Sequence, residues 1–377
     1  MTVSGSTSSP ATPTGTALPD TPWAEMVEQM WATIQRHYRA PDSGLYLEHA
    51  PSRIRDGGKE IADLWPILGL LSGANARAIA GIGPSADDDF RAVFDVMGAY
   101  LNTDTDPAGY DSFPRALGGG DIYYDDNQWL GIDGVLAWRH LREQRFLDAA
   151  HLTWELSLSG WDDTMGGGIY WRQNDRTTKN ACSNGPAAVL GMLLYEETGD
   201  RQILDWVVRI LDWNRQLRDP DTGVYLDALK DDGTIDRATY TYNSGTPLHA
   251  FALLYRATGD AAYLDEARTL ARDAFAHFAP DATRDEATGV RLWPTDPWFN
   301  SILFRGYIAL LDVDPEPDPT YVRAMLDFTR LGWGRVRDAN GLMNRDWSGH
   351  QPAPANAWLL DQAALLEFAA TAHRLGL

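Results

Sequence analysis

Two kinds of apolar segment alternate along this chain. In residues 23–38, 88–101, 145–158, 201–217, 262–278 and 320–331, apolar side chains recur at helical spacing and polar residues fill the opposite face. Ile203, Trp206, Val207, Ile210, Trp213 and Leu217 form one such stripe. In residues 64–71, 129–141, 186–195, 247–255, 302–311 and 357–370 the pattern differs: small residues abound and the segment is nearly apolar all round, as helices buried on every side are. Each segment of this second kind follows a polar opener: Asp63, Asn127, Asn184, Asn243, Asn300 and Asn356. The five asparagines are spaced 57, 59, 57 and 56 residues apart. Asparagine is a favoured helix N-cap, so capping is the expected role of these openers.

The connections alternate as well. Thr198-Gly199-Asp200 and Thr258-Gly259-Asp260 are short joints, in which glycine stops one helix and aspartate caps the next. The reverse connections are long and carry a recurring glycine followed by an apolar or aromatic residue, as in Gly109-Tyr110, Gly168-Ile169, Gly223-Val224 and Gly341-Leu342. Twelve alternating inner and outer helices predict an all-α fold, an (α/α)6 barrel over residues 22–377. Residues 1–21, rich in Ser, Thr, Pro and Gly, read as a disordered tail. The long loops and the inner-helix N-termini then share one face, and a site belongs there.

The second repeat breaks the symmetry. Only Tyr123-Tyr124-Asp125-Asp126-Asn127-Gln128-Trp129 sets two acids just ahead of its opener. Neighbouring residues at a helix start diverge by about 100° around the axis, so two carboxyls there can reach different sides of one bound group. Retaining glycoside hydrolysis uses such a pair about 5–5.5 Å apart, one carboxylate attacking and one carboxylic acid protonating the leaving oxygen. Two acids that close push one pKa up, while the helix N-terminus favours the other as an anion. Aromatic residues crowd the same face: Tyr123, Tyr124, Trp129, Tyr170, Trp171, Tyr225, Tyr242, Trp293, Trp298, Trp347 and Trp358. Polar clusters stand at the third opener (Asn180, Ser183, Asn184) and at the fourth (Tyr242, Asn243). Asp125 and Asp126 are the candidate catalytic residues. Asp63, Asn127, Trp129, Trp171, Asn180, Ser183, Asn184, Tyr242, Asn243 and Trp298 are the candidate substrate-binding set.

Composition narrows the partner. A net charge of −21 disfavours nucleic acid and anionic membranes, which need clustered Lys and Arg. A neutral ligand fits better. The single cysteine, Cys182, leaves no disulfide framework, and without a neighbouring histidine it is not expected to act as a nucleophile. The eight histidines show no metal spacing, so neither metal nor organic cofactor is expected. Asp162-Asp163 ahead of Gly166-Gly167-Gly168 reads as solvated acids in a mobile loop. The N-terminus lacks a basic start followed by an apolar stretch; as given, the chain is expected in the cytoplasm, or outside the cell if an export signal has been removed. A monomer is expected.

Asp125-Asp126 with Trp129, Gly166-Gly167-Gly168-Ile169-Tyr170-Trp171, Asn180-Ala181-Cys182-Ser183-Asn184-Gly185 and Tyr242-Asn243-Ser244-Gly245 together resemble glycoside hydrolase family 76, the α-1,6-mannanases. The resemblance spans about residues 23–377. It implies an (α/α)6 barrel and endo-acting, retaining hydrolysis of α-1,6-linked mannan or manno-oligosaccharides. It also implies that Asp125 is the nucleophile and Asp126 the acid/base. Two other classes fit the same barrel. A sugar epimerase or isomerase would rely on histidine pairs, and His249 and His140 are the histidines on inner segments. A non-catalytic glycan-binding barrel would keep the aromatics without requiring both aspartates.

Overall fold

The computed structural model describes residues 17–54 and 59–377. Six helices form a closed inner ring: α2 (Leu64–Ile79), α4 (Tyr124–Leu141), α6 (Ala181–Thr198), α8 (Thr241–Thr258), α10 (Pro297–Val313) and α12 (Leu359–Leu375). Each packs on the next, and α12 returns to α2. Outside them lie α1 (Trp23–His37), α3 (Ala86–Val96), α5 (Gln144–Ser159), α7 (Arg201–Asn214), α9 (Ala261–Phe278) and α11 (Thr320–Arg335). Because α1 packs against α12, the two ends of the barrel domain meet, and Trp23 Nε1 donates to the Leu377 carbonyl at 2.5 Å.

The two sequence patterns become two burial patterns. Along α6 every residue from Ala181 to Leu194 is buried, whereas α7 buries Ile203, Val207, Ile210, Leu211 and Trp213 on one side. Each fully buried Leu or Val of the ring contributes about 1.5–3 kcal/mol of hydrophobic stabilisation. The small residues of the inner segments let backbones touch. A Cβ on Gly245 would lie 2.6 Å from Leu303 Cα, and one on Gly306 would lie 2.6 Å from the Gly245 carbonyl. That contact joins α8 to α10. The short joints are built as expected, with Asp200 Oδ1 accepting from Gln202 N–H at 2.9 Å and Asp260 Oδ1 from Ala262 N–H at 3.0 Å.

The openers do something other than cap. Asn127, Asn184, Asn243 and Asn300 lie inside their helices, which start earlier, and Asn356 lies ahead of α12 altogether. Asn127 Oδ1 accepts from Tyr110 N–H (2.7 Å), while its Nδ2 donates to the Tyr110 carbonyl (3.0 Å) and the Tyr123 carbonyl (2.8 Å). Asn184 repeats this with Ile169 (2.9 and 3.0 Å) and the Asn180 carbonyl (2.8 Å). In the sixth repeat Gln362 takes the part, holding Met343 (2.8 and 3.1 Å) and the Trp358 carbonyl (3.1 Å). The partners Tyr110 and Ile169 belong to the recurring glycine-apolar pairs. At the second and third repeats, the two periodic features of the sequence are therefore the two halves of one loop clamp, in which a buried amide satisfies both backbone groups of the loop residue.

Short strands add what the helical pattern does not predict. β1 (His49–Ala50) pairs with β8 (Ala357–Trp358), and β2 (Leu101–Asn102) with β3 (Gly109–Tyr110). Two long connections fold into hairpins, β4 (Tyr170–Arg172) with β5 (Asp175–Asn180) and β6 (Leu226–Lys230) with β7 (Ile235–Thr239). They join through β5 and β6 into one antiparallel sheet, with Asn180 opposite Ala228. The Asp162 loop is not a loosely solvated one. The fully buried Lys179 ammonium holds Asp162 Oδ1 (2.7 Å) and the Asp162, Thr164 and Gly167 carbonyls (3.0, 2.8 and 2.8 Å). Of the expected tail, residues 1–16 lie outside the described residues. Its last part is bound, because Arg330 Nη1 donates to the Pro19 and Thr21 carbonyls, both at 3.0 Å.

Candidate active site

Asp125 and Asp126 occupy the first turn of α4. Both are only half-buried by surface yet densely surrounded by protein, as groups on the floor of a cleft are. Burial pushes the Asp125 pKa up to about 6. The Cys182 thiol, the first-turn N–H groups of Asp126 and Asp125, and the Trp171 indole all pull it back down. The helix start thus favours the Asp125 anion. Asp126 has no such support. Burial, then the charges of Asp125 and Asp63, hold its carboxyl well above the usual carboxylate range. Among the described residues, neither acid takes part in an ion pair with Lys or Arg, and Asp125 Oδ1 is buried without a hydrogen-bond partner. One group poised to ionise stands beside one poised to keep its proton.

A third carboxyl, Asp227 on β6, faces the same space. Asn243 Nδ2 donates to its Oδ1 at 3.1 Å and Asn180 Nδ2 to its Oδ2 at 3.4 Å, while burial raises its pKa. Cys182 and Tyr242 both feel the charges of Asp125 and Asp227. The Oδ1 atoms of Asn180 and Asn243 are buried without partners among the described residues. Aromatic rings flank the acids. Tyr240 and Tyr242 stack at 5.5 Å, Tyr242 meets Phe299 edge-on at 4.4 Å, and Trp65 touches Phe299 at 6.5 Å. Across the cleft Trp171 packs edge-on against Tyr123 at 5.1 Å. Trp171 is 39% exposed and Tyr240 37%, so both offer a face to a ligand.

The expected substrate-binding set divides. Asp63, Trp171 and Tyr242 are accessible beside the acids, and Asn180 and Asn243 hold Asp227. Five others are corrected. Asn127 and Asn184 are fully buried loop clamps, and Ser183 is fully buried with its carbonyl accepting from Gln128 Nε2 at 2.9 Å. Trp129 (4% exposed) and Trp298 (2%) lie under the cleft in the core, where Trp65 packs on them at 6.4 and 6.0 Å. Aromatic residues at a helix start point inward either way, and only packing decides which ring ends up on top. Asp227, Trp65, Tyr240 and Phe299 were missed. Asp227 lies just beyond the recurring Gly223-Val224-Tyr225, the one signal that could have marked it. His249 and His140 are not at the acids: they line a separate cavity of about 680 Å³ among the C-terminal halves of the inner helices. There burial and the charges of Arg305, Arg256 and Arg139 depress the His249 pKa to about 3.

The model of glycosyl hydrolase family 76 matches residues 87–373. A family 76 glycoside hydrolase from a bovine Bacteroides thetaiotaomicron strain superposes with a TM-score of 0.86 and 26% identity, covering 95% of this chain and 79% of that one. The α-1,6-mannanase GH76A of Salegentibacter sp. HEL1_6, solved as an inactive variant with two consecutive aspartates replaced by alanine and in complex with α-1,6-mannotetrose, gives a TM-score of 0.77. Its identity is 25%, over 93% of this chain and 99% of that one. The mannan endo-1,6-alpha-mannosidase DCW1 of Candida glabrata is 31% identical over 110 residues. That match spans 26% of this chain and only a quarter of the length of the curated relative (25%). With three quarters of its length matched by the family model and its fold shared with solved members, the chain belongs to glycosyl hydrolase family 76.

Proposed function

We propose that the chain hydrolyses α-1,6-linked mannan or manno-oligosaccharides with retention of configuration, using Asp125 as nucleophile and Asp126 as acid/base. The observation that carries this reading is the unequal treatment of two adjacent carboxyls. First-turn N–H groups and the Cys182 thiol favour the Asp125 anion, whereas burial, then the charges of Asp125 and Asp63, keep the proton on Asp126. In the first step Asp125 attacks the anomeric carbon from the face opposite the departing oxygen, and Asp126 gives that oxygen its proton. The glycosyl ester so formed has inverted configuration. In the second step Asp126, now a carboxylate, takes a proton from water as the water attacks, which restores the α configuration. Asp227, fixed by Asn180 and Asn243, accepts from sugar hydroxyls, and Trp171 and Tyr240 offer their faces to sugar C–H surfaces. The mannan assignment draws on the Salegentibacter α-1,6-mannanase, whose paired-aspartate variant is inactive and holds α-1,6-mannotetrose.

The test is reducing-sugar release from linear α-1,6-mannan by the wild type and by Asp125→Asn, with NMR of the first-formed product. Release by wild type alone, with the α-anomer appearing first, is the expected result. A first-formed β-anomer would overturn retention, and activity in Asp125→Asn would overturn the nucleophile.

A further inference from the structure

The cavity among the C-terminal halves of the inner helices takes no part in the proposed hydrolysis. At about 680 Å³ it has the size of a small-molecule site. Leu136, Leu193, Leu253, Phe304 and Ile308 make much of its wall apolar. Three carboxylates also line it, and each is held. Asp133 accepts from Ser72 Oγ and from Asn75 Nδ2 (3.1 Å), Glu367 receives the Arg305 fork with Nη2 at 2.8 Å, and Asp312 lies 3.3 Å from Arg256 Nη1. The donors are not all spent. Arg139 and Arg256 are taken up by Glu196, Glu197 and Asp312, and His140 by Asp87 (2.9 Å). Arg305 Nη1, however, is buried without a partner, and the exposed Arg374 forms no ion pair among the described residues. His249 has no hydrogen-bond partner among the described residues for either ring nitrogen. It stands at a depth matching that of Arg305, on the adjacent inner helix. Burial and the charges of Arg305, Arg256 and Arg139 keep its imidazole neutral, so it has one N–H to give. The acceptor left over beside these donors, Asn75 Oδ1, carries no charge. Spare donors at the bottom of an apolar chamber suit a ligand that brings negative charge on an apolar body.

We propose that this cavity is a second ligand site, separate from the paired acids, for a small monocarboxylate with an apolar body. The carboxylate accepts from the His249 N–H next to the Arg305 guanidinium, and the hydrocarbon lies along Leu253, Phe304 and Ile308. Arg374, near the end of α12, adds attraction at longer range. A charge-assisted hydrogen bond in an apolar chamber is what separates such a ligand from a neutral one of the same shape.

Calorimetric titration of the intact chain with octanoate and with octanol tests this, since the two probes share one apolar body. Octanoate should bind at a single site, about tenfold or more tighter than octanol. His249→Leu removes the N–H and keeps an apolar side chain, and it should bring octanoate down to the affinity of octanol. His249→Gln keeps a neutral N–H donor and should retain most of the preference. Arg374→Ala should weaken octanoate less than His249→Leu does. Absence of octanoate binding, octanol bound as tightly as octanoate, or a preference untouched by His249→Leu would overturn the proposal. So would displacement of octanoate by α-1,6-mannotetrose, which would put the probe in the cleft of the paired acids. The two titrations of the wild type decide the question even where a variant fails to fold.

Discussion

The two ends of the inner ring handle their charged side chains differently. At the N-terminal end stand Asp63, Asp125 and Asp126; in the last turns stand Arg139 and His140 on α4, Arg256 on α8, and His373 and Arg374 on α12. Acids at a helix start are therefore no sign of chemistry in themselves. What separates the ends is pairing. Below, Arg139 meets Glu196 (2.9 Å) and Glu197 (2.6 Å), Arg256 meets Glu196 (2.6 Å) and Asp312 (3.3 Å), and Arg305 forks onto Glu367. Above, Asp125 and Asp126 stand together in the cleft with no Lys or Arg paired to them among the described residues, and both pKa values rise. Partly buried charge without a partner is costly, and a fold keeps it where a ligand or a reaction uses it.

That contrast can be broken most directly at Asp125. Asp125→Ala should lower kcat on α-1,6-mannan by roughly 10⁴-fold or more, with an unchanged circular-dichroism spectrum because no core contact is lost. An Asp126→Ala enzyme should lose about 10²–10⁴-fold on mannan but far less on an aryl α-mannoside whose leaving group needs little protonation. Equal losses on the two substrates would remove Asp126 from the acid role. In the wild type, kcat/KM should fall as pH drops through about 6, where Asp125 takes up its proton, and fall again at higher pH as Asp126 releases its own.

The loop clamps offer a control in the same mouth that should affect stability before chemistry. Asn184→Ala leaves both backbone groups of Ile169 unmet and should cost about 2–3 kcal/mol, read as a lower urea midpoint with an unchanged slope. Smaller still is Trp171→Ala, which removes one exposed stacking face and should weaken oligosaccharide binding by about 0.5–1.5 kcal/mol by calorimetry. The finest test is Asp63→Asn. Removing one of the two charges that hold the Asp126 proton should move the alkaline limb of the pH profile to lower pH while leaving the acid limb in place. A shift in the opposite direction would mean that Asp63 acts on some other group.

Much of this architecture was legible in the chain. The alternation of one-sided and all-round apolar segments is a local property, fixed by which residues must leave water, and it predicts twelve helices in two layers without any knowledge of contacts. The break in symmetry at Asp125-Asp126 is equally local, since it needs only a comparison of six openers. The short joints also came through, because a capping aspartate bonds to a residue two positions away.

What the tertiary structure alone decided involves partners distant in sequence. The asparagine openers and the glycine-apolar pairs were both visible as repeats, yet their reciprocal hydrogen bonding joins Asn127 to Tyr110 and Asn184 to Ile169 across a loop. Asp227 enters the cleft because two hairpins from different connections pair through β5 and β6, which brings it to Asn180 and Asn243. Periodicity says which side chains point inward; it does not say which of several inward rings is covered by the next. Trp65 therefore lies over Trp129 and Trp298, and the buried pair becomes floor support while the accessible ring was overlooked. Segment identity follows from side-chain hydrophobicity along the chain. The makeup of the cleft follows from how six helices and two hairpins exclude one another from the same volume, and only the folded packing fixes that.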